Sequence, residues 1–486
     1  MDTRPEHYIG GTWRKPRAAG GSIDVVEAAT EEVFATVVAG TAEDVGDAAE
    51  AAAGAFLRWS SAPVAERSAA LRAIADRLEA RGPELATMMT REVGTPLTIS
   101  ERVQVGLALS VFRSMADLVE EFPLEERLGS SLLLRVPVGV VGAITPWNYP
   151  LYQLAAKVAP ALAAGCTTVV KPSSVAPLAA FVLAEVVDEL DLPPGIVNVV
   201  AGAGARVGEA IAGHPAIDMV SLTGSTGAGA RAAEVAAPSI KRMALELGGK
   251  SAFLICEGAD LDVALPNAVR QCFVNNGQTC AATTRLVVPR SLLAEVEDRV
   301  AALVSAQTVG DPLDPATDIG PVASESQFRS IQAMIEKAGD EGTVLVGGTG
   351  LAAGQQRGYY VRPTVVSRVS NAATIAREEV FGPVLTVIPV ADDDEAVAVA
   401  NDSDYGLSGA VFAADEAAAI AVARRLRTGQ VAVNGGRFNV LAPFGGFRKS
   451  GVGRELGPHG LAEYFEMLSL QLPAAPSAAA PVAVTP

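Results

Sequence analysis

Histidine is nearly missing from this chain: 486 residues hold three, His7, His214 and His459, far apart in sequence. A histidine metal site or a histidine-based nucleophile relay has too little to work with, so no metal is expected. Cysteine is scarce as well, with Cys166, Cys256, Cys272 and Cys280 the only four. With no export signal in view, they read as reduced thiols of a cytoplasmic protein. The opening MDTRPEHYIGGTWRKP lacks the apolar core of a signal peptide. The best apolar candidate for a membrane span, residues 136–164, is broken by Pro137, Pro146, Asn148, Pro150, Lys157 and Pro160. A span needs about 20 predominantly apolar residues, so no membrane partner is expected. Basic blocks are absent too, and the net charge is −17. That balance argues against a nucleic-acid partner. Chemistry is left to thiols, carboxylates and lysines.

What is present is apolar bulk, 49% of the chain. Single cores stop growing near roughly 250–300 residues, so two or more domains are expected. An Ala-rich helical pattern covers 43–89, with Leu71, Ile74, Ala75 and Leu78 on one face. Short β-runs then alternate with helical stretches: 138–144 with 151–162, 167–170 with 177–190, 196–200 with 205–212, and 219–222 with 227–235. A second cycle follows through 251–255, 261–273, 284–288 and 292–306. A third runs through 385–390, a helix from Asp394, 408–412 and a helix from Glu416. This alternation is the signature of an α/β fold with parallel sheets and crossover helices. The expected division is a Rossmann-like dinucleotide-binding domain (1–123 and 138–245), a second α/β catalytic domain (246–455), and a small β oligomerisation element (124–137 and 456–486). Residues 124–135 read as a protruding hairpin. The low-complexity tail 473–486 reads as a surface arm.

Several local patterns can carry chemistry. Cys280 follows Asn275-Asn276-Gly277-Gln278-Thr279 at the junction of a helical and a β-type run. A thiol at a junction is partly exposed, and nearby backbone N–H dipoles would favour its thiolate. Most free thiols are small buried hydrophobes, and Cys166, Cys256 and Cys272 keep that reading. Glu246, between two leucines and ahead of a glycine pair, is placed for desolvation, which raises a carboxylate toward a useful base. Its plainer reading is a helix-surface Glu before a glycine cap. Asn148 sits in a turn restricted by Pro146 and Pro150, which fixes its amide; a fixed amide stabilises an oxyanion. Gly224-Ser225-Thr226-Gly227-Ala228-Gly229 opens a helix after a β-run, where phosphate binds. Its glycine spacing is not the dinucleotide fingerprint, and alone it is weak. Lys171 ends a β-run, where an open parallel sheet binds cofactor.

Together, and in this order, these motifs resemble the aldehyde dehydrogenase superfamily over nearly the whole chain. The matching segments are Pro146-Trp147-Asn148-Tyr149-Pro150, Lys171-Pro172-Ser173, Thr223-Gly224-Ser225-Thr226, Glu246 to Lys250, Asn276 to Cys280, Glu378 to Pro383 and Pro443 to Phe447. The resemblance implies that Cys280 attacks an aldehyde, that Asn148 and the Cys280 N–H meet the oxyanion, and that Glu246 activates the water that hydrolyses a thioester. It implies NAD or NADP as cofactor. Lys171 and Ser173 would lie at the adenosine ribose, Gly224 and Ser225 at the pyrophosphate, and Glu379 and Phe381 at the nicotinamide riboside. Thr145, Pro146, Trp147 and Leu247 would complete the cofactor wall. Ser174 departs from the Glu that many NAD-preferring members carry, so NADP should be tolerated. Positions matching the substrate tunnel are Tyr149, Gln153, Ala156, Phe273, Thr279, Phe438 and Phe444, with Arg437 near the mouth. A CoA-acylating relative usually lacks the Glu at 246, and a non-catalytic one would be expected to lose Cys280, Glu246 or Asn148; this chain keeps all three. The resemblance also implies a homodimer or homotetramer, with the hairpin and residues 468–472 pairing to a neighbour and Glu466 bridging Arg242 and Arg454.

Overall fold

The computed structural model describes residues 2–18 and 21–473. The tail expectation therefore falls, beyond Pro473, outside the described residues. Residues 43–89 form three helices, Ala42–Ser60, Val64–Ala80 and Gly82–Val93. Thr41 and Asp44 close the first in a capping box, with the Asp44 carboxylate accepting from the Thr41 N–H at 2.8 Å. Pro63 stands ahead of the second, and Pro83 lies in the first turn of the third. Proline lacks the amide that an unbroken helix requires, which explains the division.

Five parallel strands form the centre of an eight-stranded sheet, in the order Arg242–Glu246, Met219–Thr223, Val140–Ile144, Thr167–Lys171 and Val197–Val199. In chain order this is 5-4-1-2-3, so connections diverge between Val140–Ile144 and Met219–Thr223. Ligands of open parallel sheets bind at the carboxyl ends beside such a divergence. His7–Ile9 and Thr12–Arg14 extend one edge, and Gly451–Val452 returns late in the chain to pair with Leu245 and Glu246 at the other. That late return corrects the expectation that the whole of 246–455 builds the second unit. The helix Pro150–Ala164 is buried at every position.

A second sheet has seven strands, ordered Thr343–Val346, Thr364–Ser367, Val384–Val390, Arg285–Pro289, Ala252–Ile255, Ser408–Phe412 and Gln430–Val433. All neighbours are parallel except the first pair. The five residues between Glu246 and Ala252 thus run from a carboxyl end of one sheet to an amino end of the other. The cleft lies along that link.

The hairpin expected at 124–135 consists of Glu125–Leu128 and Ser131–Pro137. Its partner is the chain's own Phe465–Gln471, with Leu468 opposite Leu134. The expected pairing of these segments with a neighbouring subunit is thus preceded by pairing within the chain. Among the described residues no helix is long and apolar enough to cross a membrane.

Candidate active site

The approach to Cys280 is a left-handed turn. Asn275, Asn276 and Gly277 have φ of 55°, 59° and 74°. Non-glycine residues adopt such angles only where the surroundings enforce them. Here the Asn275 amide donates to the Asn148 carbonyl at 2.9 Å, and the Asn276 amide donates to the Gly94 and Pro321 carbonyls at 2.8 Å. A Cβ on Gly277 would overlap the Gly382 carbonyl. Cys280 itself is half-buried, whereas the other three thiols are fully buried. Burial pushes the Cys280 thiol well above its ordinary range, and the charges of Glu379, Glu246 and Glu455 add to the shift. This corrects the expected thiolate: one helpful N–H, from Ala281, is outweighed by desolvation and three carboxylates.

Asn148 is pinned from three sides. Its carbonyl accepts from Gln104 and Asn275, both at 2.9 Å, and its amide donates to the Gln278 carbonyl at 3.0 Å. A primary amide has two hydrogens, so one remains for a ligand. Glu246 ends its strand only 3% exposed, and neither carboxylate oxygen has a hydrogen-bond partner. Desolvation raises its proton affinity well above the usual carboxylate range, Glu455 adds to this, and Lys157 and Arg454 oppose it. A Cβ on Gly445 would lie 2.6 Å from Glu246 Oε1, so only glycine leaves the carboxylate its room. Lys157 and Glu455 form a fully buried ion pair, with Lys157 Nζ also donating to Thr223 Oγ1 at 2.6 Å. Sequence reasoning missed both. The visible signal was Lys157, a cation inside an otherwise apolar helix.

The cofactor-type residues gather at the carboxyl ends of the first sheet. Lys171 is buried, and its Nζ bonds only the Pro172 and Gly202 carbonyls, at 2.6 and 3.2 Å. Burial lowers its pKa to about 8. Half-buried Ser173 caps its own turn at the Val175 N–H, while Ser174 donates to the Gly202 carbonyl at 3.1 Å. Among the described residues no carboxylate pairs with Lys171, which fits an arriving ribose or phosphate. Gly224 donates to the Glu246 carbonyl at 3.0 Å, and Ser225 caps the helix Thr226–Ala236 through the Ala228 N–H at 3.2 Å. The turn therefore presents free amides at a helix N-terminus. Thr145 bonds the Lys171 carbonyl at 3.1 Å, Pro146 is half-exposed beside it, and Leu247 lies buried at the next strand end. Trp147 meets Phe381 edge-on at 5.3 Å, and Glu379 accepts from the Gly249 N–H at 2.9 Å. An apolar wall, a walled-in carboxylate and a phosphate turn fit a dinucleotide.

A sequence profile described as the aldehyde dehydrogenase family matches residues 13–470. The chain belongs to the aldehyde dehydrogenase family. It is 44% identical over 464 residues to 3-succinoylsemialdehyde-pyridine dehydrogenase of a Pseudomonas species, covering 95% of this chain and 97% of the relative. A mutant of aldehyde dehydrogenase C from Pseudomonas syringae, solved with NAD+ and octanal, superimposes with a TM-score of 0.95 at 45% identity over 97% of both chains. The NAD+ complex of a Mycobacterium tuberculosis aldehyde dehydrogenase gives 0.95 at 39% identity, over 98% of this chain and 100% of that one. Aldehyde oxidation with a nicotinamide dinucleotide is accordingly the general reaction of this chain.

In this aldehyde dehydrogenase five of the seven positions expected to line a tunnel are joined by contacts. Tyr149 shares a hydrogen bond of 2.7 Å with Thr279, next to the thiol. Tyr149, Ala156 and Phe444 pack in one apolar cluster against which Cys280 lies. Phe438 contacts Phe444 edge-on at 5.9 Å. Gln153 is 2% exposed, and its Oε1 has no partner. Phe273 instead packs into the core of the second sheet. Arg437 is exposed. Tyr152, missed by sequence reasoning, lies within electrostatic reach of Cys280 and Glu246. Glu466 pairs with Arg242 at 3.1 Å. Arg454 is not its second partner, a correction: it stays within its own loop, bonding the Gly446 and Gly453 carbonyls. Among the described residues no group of three or more His, Cys, Asp or Glu is placed to hold a metal ion.

Proposed function

We propose that the chain oxidises an aldehyde to its acid, with Cys280 as nucleophile, Asn148 as oxyanion donor and Glu246 as general base. The observation that carries this is a half-buried thiol within electrostatic reach of a buried carboxylate whose two oxygens have no partner among the described residues. The Cys280 sulfur bonds the carbonyl carbon as the thiol proton leaves to solvent water. The free Asn148 amide hydrogen and the Cys280 N–H hold the resulting oxyanion. When bound, the dinucleotide accepts the hydride. The protein is left as a Cys280 thioester; Glu246 removes a proton from the water that cleaves it, and the acid leaves as the Cys280 sulfur takes a proton back. The Lys157–Glu455 pair bounds the proton affinity of Glu246 from both sides, one group lowering it and the other raising it.

Lys171, Ser173 and Ser174 would hold the adenosine ribose, Gly224 and Ser225 the pyrophosphate, and Glu379 and Phe381 the nicotinamide riboside. Ser174 puts no carboxylate beside a 2′-phosphate, so both NAD and NADP fit. Tyr149, Ala156, Phe438 and Phe444 favour an apolar or flat aldehyde, in keeping with the octanal complex of the Pseudomonas syringae relative. Four free thiols favour a cytoplasmic setting. The apolar residues of the three-stranded sheet favour a homodimer or homotetramer. Domain roles follow the sheets: 1–123 and 138–245 for cofactor, most of 246–455 for chemistry, and 124–137 with 456–486 for assembly.

The test is Cys280→Ser assayed with octanal or benzaldehyde. Turnover should fall below a few per cent while NAD(P)H binding, read by fluorescence, stays within about twofold, a difference under 0.5 kcal/mol. Retained turnover would assign the nucleophile elsewhere.

A further inference from the structure

Lys250 is 2% exposed, and its Nζ has no hydrogen-bond partner. A buried ammonium without a bond is costly unless a nearby charge compensates it. Lys250 follows directly on the two glycines that pack against the Glu379 carboxylate. Gly249, one step earlier, donates its N–H to Glu379 Oε1 at 2.9 Å. Gly248 packs so closely on the same carboxylate that a Cβ there would overlap Glu379 Oε2. The Cys280 carbonyl lies 2.8 Å from the Cβ position of Gly249. Lys250 thus extends from the same glycine pair that seats Glu379 beside the reactive thiol. Burial lowers the Lys250 ammonium to about 8 and Arg285 adds to this, while Cys272, Glu379 and Glu378 oppose it, so it is still charged at pH 7. Arg285 is engaged elsewhere, donating to the Lys250 carbonyl at 2.9 Å and to the Ala400 carbonyl at 3.0 Å. Lys250 is the cation that lowers the proton affinity of Glu379.

We propose that Lys250 is a positioning residue for the dinucleotide, the buried counter-charge that keeps Glu379 ionised so that it can accept from ribose hydroxyls. This rests on the reading that Glu379 faces the nicotinamide ribose. An ionised carboxylate offers two oxygens that only accept, whereas a protonated one spends an oxygen on its own hydrogen. Hydrogen bonds to the charged form are also the stronger kind. The balance is fine: burial raises Glu379 to about 7, with the Gly249 N–H and Lys250 holding it down. Other titratable groups facing the pair are Cys272 on the Lys250 side, and Cys280 and Tyr405 on the Glu379 side. Burial raises all three, so they are neutral near pH 7. Among the described residues of this cluster, Glu379 and Lys250 are therefore the groups expected to change charge near neutral pH; Glu246, also raised by burial and acting on Cys280, is separated from them by the Glu379→Gln variant below.

The experiment measures NADH affinity by fluorescence between pH 5.5 and 9, with no aldehyde present. Wild-type affinity should weaken below pH 7 as Glu379 takes a proton. Lys250→Met removes the cation, so Glu379 protonates more readily and the midpoint should move up by about one unit or more. Affinity at pH 7 should then fall roughly three- to fivefold, since charged and neutral hydrogen bonds differ by about tenfold and half of Glu379 is already protonated there in wild type. Lys250→Arg should return the midpoint toward wild type. Lys250→Gln serves as the second uncharged variant should Met destabilise the fold. Glu379→Gln should abolish the pH dependence. If Glu379→Gln leaves affinity and pH dependence intact, the ribose reading fails. If Glu379→Gln acts as expected but neither Met nor Gln at Lys250 moves the midpoint, the role of Lys250 alone is overturned.

Discussion

A thiol ringed by Glu379, Glu246 and Glu455 gives up its proton only against burial and three negative charges. The folded-state pKa is raised, so the free protein carries a protonated Cys280 at neutral pH and the thiolate fraction grows with every unit above it. Alkylation by iodoacetamide follows the thiolate. Its rate in the ligand-free protein, with Cys280→Ser as the blank, should still be climbing above pH 9, past the ordinary thiol value of about 8.5. A plateau reached by about pH 7.5 would show a thiol activated before substrate arrives. This environment was not legible in the sequence. Cys280 and Glu246 were, because each stands in a motif; Glu455 and Lys157 lie 298 positions apart and meet only in three dimensions.

At the scale of elements, the left-handed turn ahead of Cys280 is the least replaceable piece. Gly277→Ala would place a Cβ against the Gly382 carbonyl at a φ of 74°. The expected loss is about 1–3 kcal/mol of stability, read as a lowered denaturation midpoint, with turnover falling further because the thiol shifts. Unchanged stability and turnover would remove the turn from the account. Elements of regular alternation were readable: the crossover pattern from 138 to 235 anticipated the parallel strands and their helices. The strand Arg242–Glu246 was not, since RMALE contains no β-branched residue and owes its conformation to Met219–Thr223 and Gly451–Val452 on either side. The stretch 307–384 was left unassigned, although it holds the amphipathic helix Glu325–Glu341 capped by Ser324. Its apolar face shows Ile331 and Ile335 four apart, a signal that was there to be used.

For the whole molecule, the three-stranded sheet leaves Met467, Leu468 and Leu470 exposed at 53%, 44% and 38%. Apolar residues repeated along an exposed strand favour assembly. Glu466, on that strand, pairs with Arg242 while more than half exposed. Such a pair adds little to the stability of one chain. Since Arg454 lies elsewhere, Glu466→Lys should leave cofactor affinity and the unfolding transition of the chain almost unchanged, and lower the mass seen by light scattering. An unchanged mass would separate this strand from the assembly. Scale also explains what the sequence could not give. Two α/β sheets were foreseeable from alternation, but the return of Gly451–Val452 to the first sheet depends on contacts across the whole chain.

The division of labour between Cys280 and Glu246 is the central claim, and pre-steady-state kinetics of Glu246→Gln test it most directly. The amide keeps the shape and loses the base, so the hydride step should survive while hydrolysis stops. The variant should give a burst of about one NAD(P)H per active site followed by a steady rate at least roughly a hundredfold below wild type. Steady turnover equal to wild type, with no burst, would contradict it.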